Sequence, residues 1–207
     1  MSVERWVDPR TVLGLGPGAD ADDVRLAYRR LAKRYHPDVS GDPRTALSFA
    51  RVTKAYKVLS AMPPQALPPA GVSGRYRRVI EAADDLFALG QVLASDPDSG
   101  ARVEAAKRLG LSGRVAAWVF LRRALYDDDE AVAGQAVRSV ALLGTRQAEG
   151  EVASLYVRAG SGLRRLVLEV AEATLEPVFA GALGAARNDV DPVLRSRARG
   201  ISIPGPN

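Results

Sequence analysis

Cysteine is absent from the 207 residues, and histidine occurs once, at His36. The first absence excludes disulfides, thiolate metal ligands and thiol catalysis, and the second excludes a multi-histidine metal site. Long apolar runs are missing too. The longest uncharged apolar stretch is Val115–Leu121, far short of the roughly 20 residues that a membrane span needs. The opening residues, MSVERWVDPR, hold no apolar signal region, which argues against export. Alternating β-branched runs are lacking, so no strand of useful length is expected. These absences predict an all-α, soluble, cytoplasmic protein without metal, cofactor or membrane association.

What is present divides into three parts. Residues 1–60 read as helices around a polar loop. Residues 61–74, AMPPQALPPAGVSG, hold four prolines and two glycines and read as a linker, because proline blocks helix and favours extended backbone. Residues 75–207 carry Ala/Leu/Val-rich helical patterns broken by Asp, Pro and Gly. Apolar residues make up 47% of the chain, enough for a core in each folded part. The net charge of +5 raises the question of nucleic acid, and its distribution answers it. Residues 1–60 hold 11 Lys/Arg against 7 Asp/Glu, whereas residues 61–207 hold 18 against 17. A near-neutral second segment is a poor phosphate binder, so nucleic acid is not an expected partner.

The first segment predicts a helical hairpin. Asp20 and Asp23 form a capping-box-like start, and Asp20, Asp22 and Asp23 suit the positive end of a helix dipole. Val24, Ala27, Tyr28, Leu31 and Tyr35 then line one helix face, with Arg25, Arg29, Arg30, Lys33 and Arg34 on the rest. Pro37 ends this helix. A second helix can start with Asp42 as cap and Pro43 in its first turn. It carries the stripe Phe49, Val52, Ala55, Tyr56 and Leu59. Between the two lies His36-Pro37-Asp38.

DPRTVLGL, then VRLAYRRLAKRYHPD, then FARVTKAYKVLS stand in the order and at the spacing of a J-domain, which the N-terminal quarter resembles. The resemblance implies a basic second helix that docks on the acidic face of a DnaK-class ATPase, with the HPD loop coupling docking to ATP hydrolysis. It assigns partner contact to His36, Pro37, Asp38, Arg25, Tyr28, Arg29, Arg30, Lys33, Arg34 and Phe49. The chemistry suits these residues. Clustered cations steer an encounter with an acidic patch, and a carboxylate such as Asp38 accepts from a partner arginine. A proline such as Pro37 lowers the ordering cost of the loop. Tyr28, Tyr35, Phe49 and Tyr56 also suit core packing. Two departures stand out: Val39-Ser40 follow the tripeptide where the family commonly has a basic residue and asparagine, and AMPPQALPP replaces its fourth helix.

The second segment repeats every 31 residues. Asp96-Pro97-Asp98 falls on Asp127-Asp128-Asp129, and Asp191 recurs on Asp98 two periods after Asp129. Arg102, Arg164 and Arg195 share a register, with Ala133 in the remaining slot. Ala105, Ala136, Val167 and Ala198 share another, and Gly113 and Gly144 close successive helices. Each unit reads as two short helices, for example Arg114–Tyr126 and Glu130–Leu143. The pattern resembles short HEAT-type repeats stacked as an α-solenoid. The aspartates are expected to cap helices, the arginines to bridge neighbouring units, and Trp118, Phe120 and Leu121 to lie in the core. The concave surface is expected to recruit a client protein.

The expected function is a non-enzymatic co-chaperone that stimulates a DnaK-class ATPase. Two alternatives belong to other classes. One is a protein-interaction scaffold whose J-like hairpin has become a packing element. The other is an enzyme or nucleic-acid binder built on the repeats, a reading that rests on fold analogy alone.

Overall fold

The computed structural model of the chain describes residues 7–36, 45–62 and 86–203. Among them every regular element is helical, and no helix is long and apolar enough to cross a membrane. A short helix α1 (Pro9–Val12) leads into α2 (Ala21–Tyr35) and, after residues 37–44, into α3 (Thr45–Ala61). Helix α3 runs through Ala61, the first residue of the expected linker. Residues 63–85 lie outside the described residues, and with them the rest of the expected linker and the start of the second segment. The expected caps Asp42 and Pro43 fall outside them as well.

Helices α4 (Leu86–Ser95), α5 (Ser99–Ser112), α6 (Trp118–Ala124), α7 (Glu130–Leu143), α8 (Glu149–Arg158), α9 (Ser161–Thr174), α10 (Ala180–Ala186) and α11 (Pro192–Arg199) follow as four pairs. A single 3-10 turn precedes α6, α8 and α10. The second helices lie in a row, α5 on α7, α7 on α9 and α9 on α11. The first helices pack on a separate side, α4 on α6 and α8 on α10. One apolar core runs between these layers from Leu86 to Ile201, and Trp118 and Leu121 belong to it.

The 31-residue register is written into the helix ends. Asp98, Asp129 and Asp191 each cap a second helix, accepting the amide N–H two residues on at 2.8 Å. At Gly113, Gly144 and Leu175 the chain leaves three successive second helices in the left-handed conformation, with φ of 62°, 59° and 54°. Two of the in-register arginines reach the next pair. Arg102 bonds Asp127 through Nε and Nη2 at 2.9 and 3.0 Å, and Arg164 bonds Asp189 at 3.2 Å. Arg195 instead turns back to the carbonyl of Asp189 just before its own helix. Alanine at 133 leaves the second pair without this bridge.

The N-terminal hairpin does not stand apart from this array. Leu111 of α5 and Leu142 of α7 belong to the same apolar cluster as Leu13, Leu15, Val24, Leu31, Val52 and Leu59. The hairpin sits on the row of second helices, α2 against α5 and α1 against α9.

A candidate partner-docking surface on the second helix

Helix α2 starts as the sequence predicts. The Asp20 side chain accepts from the amides of Asp22 and Asp23 at 2.9 Å, and the Asp23 carboxylate in turn accepts from the Asp20 amide at 3.2 Å. At 100° per residue the functional side chains of α2 fall on three distinct faces. Val24, Ala27, Leu31 and Tyr35 are buried against the Val52, Ala55 and Leu59 stripe of α3. Tyr28 extends that contact by stacking on Tyr56 at 4.1 Å.

The second face meets the helix pairs and carries Asp23, Arg30 and Arg34. Asp23 accepts from the buried Lys107 ammonium at 2.6 Å, which also pairs with Glu104 at 2.8 Å. Burial pulls the Lys107 pKa down, but the two carboxylates outweigh it and leave it above the ordinary lysine value. Arg30 donates to the carbonyl of Leu111 at the C-terminal end of α5. One turn further on, Arg34 donates to the carbonyl of Leu142 at the end of α7, at 3.1 Å. Each guanidinium thus lies at the negative end of a helix dipole, over carbonyls without an intrahelical partner.

Gly113 and Gly144 are needed there twice over. They adopt positive φ, and a Cβ on either would overlap the guanidinium of Arg30 or Arg34, respectively. Arg34 also pairs with the buried Glu176, to which the Tyr35 hydroxyl donates. Burial and that carboxylate push the Tyr35 pKa well above the phenolic range. Thr11 donates to Glu169 at 3.3 Å, and Arg51 to the Glu172 carbonyl at 3.0 Å. A small pocket at this junction, lined by Val12, Leu31, Val52 and Leu142, offers about 10 Å³, at most the room of one water.

Arg25, Arg29 and Lys33 make up the third face, spaced i, i+4, i+8, and all three are exposed. Arg25 pairs with Asp22 one turn earlier. The stripe ends three residues before His36, which caps α2 and meets the half-buried Phe49 ring edge-on at 5.8 Å. Pro37 and Asp38 lie outside the described residues. Among the described residues no group of three acidic or histidine side chains could hold a metal ion.

Of the five α2 cations expected to face a partner, Arg25, Arg29 and Lys33 are exposed, whereas Arg30 and Arg34 donate to the ends of α5 and α7. Tyr28 is held in the hairpin by Tyr56. The hairpin lies against the row of second helices at α5, α7 and α9. Sequence reasoning passed over Glu169, Glu172 and Glu176. Their i, i+3, i+7 spacing makes an acidic stripe on and just beyond α9 that faces a basic hairpin, and that was the available signal.

The DnaJ domain family model matches residues 8–64. The chaperone protein DnaJ of Methanothermobacter thermautotrophicus is 53% identical over 49 residues, which are 24% of this chain and 13% of that protein. Those of Bacillus cereus and Bacillus mycoides are 55% identical over 49 residues, with the same coverage. The chain thus spans about an eighth of the length of the curated relatives it matches. No solved structure gives a significant match. Residues 8–64 are a J-domain.

Proposed function

We propose, from the premise of a J-domain at residues 8–64, that this chain is a cytoplasmic, non-enzymatic co-chaperone. It docks on a DnaK-class chaperone and stimulates its ATPase, and the helix pairs recruit a client or partner protein. One observation carries the reading: an exposed line of Arg25, Arg29 and Lys33 runs along α2 to the His36-Pro37-Asp38 tripeptide. A line of like charge draws in an acidic surface and sets its register. In the tripeptide, proline restricts the backbone and the aspartate supplies a carboxylate for a partner arginine. The helix pairs form a short α-solenoid of HEAT-like units, a reading supported by the shared register of their caps, left-handed exits and interpair arginine bridges. Client recruitment falls to the surfaces that the hairpin leaves uncovered.

The test is ATP turnover by a purified bacterial DnaK in the presence of the 207-residue chain. Wild-type protein raises the turnover rate, and His36→Gln or Asp38→Asn abolishes the rise. Stimulation that survives both substitutions overturns the reading. One observation favours the second reading, a scaffold with a vestigial J-domain: Arg30, Arg34 and Tyr35 are committed to contacts within the chain. Under that reading the wild-type chain leaves DnaK turnover unchanged.

A further inference from the structure

The docking of the hairpin on the helix pairs is made by one face of α2, and the charge left to a partner lies on another. The attachment has the character of a core rather than of a passing contact. Leu111 and Leu142 complete the hairpin's apolar cluster, and the Asp23–Lys107 pair and Tyr35–Glu176 bond are buried. Two arginines four residues apart seat on two consecutive helix ends. That last contact fixes a register. The step from Arg30 to Arg34 matches the step from α5 to α7, and each seat exists only because Gly113 and Gly144 carry no Cβ. At the third helix end the donor comes from α3 instead, Arg51 to the Glu172 carbonyl, and a leucine, Leu175, takes the same backbone conformation.

We propose that α2 is divided between two bodies. The helix pairs act as a fixed mount gripping Asp23, Arg30 and Arg34, and an acidic partner reads Arg25, Arg29 and Lys33 alone. Arg30, Arg34 and Glu176 are positioning residues: they set the attitude at which the J-domain is presented and do not touch the partner. This rests on the co-chaperone reading for the identity of the acidic partner, but not for the mount.

A chain without native cysteine allows the two halves to be tested together. Spin labels at Ser60→Cys and Gly150→Cys, both exposed and away from α2, report the distance from α3 to α8. A single narrow distance, unchanged on adding ATP-loaded bacterial DnaK, is the expected result. A broad distribution, or one that shifts with DnaK, overturns the mount whether or not DnaK is stimulated. On the same protein, Arg25→Glu, Arg29→Glu and Lys33→Glu each slow association with DnaK by about five-fold or more at low salt, without changing the distance. Arg34→Ala and Glu176→Gln broaden the distance while leaving the association rate within about two-fold. Arg34→Lys, which keeps a cation at the helix end, narrows it again. If Arg30→Ala or Arg34→Ala slows association as much as Arg29→Glu at an unchanged distance, all five cations serve the partner and the division is wrong. If the distance is narrow but DnaK binds no variant, the co-chaperone reading and the partner half fall, and the mount stands.

Discussion

At the scale of single residues, the helix exits show how one position can serve two demands. Gly144 has φ of 59°, which costs a non-glycine residue about 1–2 kcal/mol. The guanidinium of Arg34 also fills the place of its missing side chain. Gly144→Ala therefore carries the backbone strain and displaces a cation paired with a buried carboxylate, and a loss of about 2–4 kcal/mol is expected by urea denaturation. Wild-type stability in this variant would show that Arg34 is not seated there. Asp189 makes a second such node, taking the Tyr156 hydroxyl at 2.7 Å, the Asp191 amide at 2.9 Å and Arg164 at 3.2 Å. Burial pushes its pKa up, but the Tyr156, Asp191 and Arg164 donors outweigh it and leave the carboxyl below the ordinary aspartate value. A carboxylate depressed on folding stabilises above its unfolded pKa of about 3.9, and that contribution is lost as pH falls through the lower folded value. Unfolding free energy should decline more steeply below about pH 4 in wild type than in Asp189→Asn, as denaturation curves across that range will show. Equal slopes would mean that the carboxylate is not held in its charged form.

At the scale of elements, much was legible in the sequence because it is local. The capping box of α2, the apolar stripe from Val24 to Tyr35 and the aspartate caps of α5, α7 and α11 each follow from residues within a turn or two of one another. So does the glycine exit of α5 and α7. Leu175 shows where locality fails: nothing in its own side chain announces positive φ, and only the 31-residue register places it on Gly113 and Gly144. The fate of the α2 cations was not legible for the same reason. A basic stripe has the same spacing whether it faces water, an acidic partner or a helix end 81 residues away, as Arg30 does. Amphipathic periodicity separates the buried side of a helix from the rest. It does not separate a solvated polar side from a docked one.

At the scale of the whole molecule, the decisive side chain is Leu142. It lies one residue before the end of α7 within the second segment, is 2% exposed, and belongs to the apolar cluster of the hairpin. Two parts that share a core side chain unfold together when the energy of the shared contact is large compared with the stability of either alone. Far-UV circular dichroism follows all the helices, whereas the buried Trp118 follows the second segment. In a Trp6→Phe background Trp118 is the sole tryptophan. The two signals should then trace one coincident denaturation curve. Leu142→Ala removes a packed side chain at a cost of about 2–4 kcal/mol, borne first by the hairpin, whose cluster it completes. Helical signal should therefore be lost at lower denaturant than Trp118 emission changes, splitting the curve in two. A wild-type curve already split in this way would show that the J-domain and the helix pairs are independent folding units, and that their contact is too weak to fix the attitude of α2.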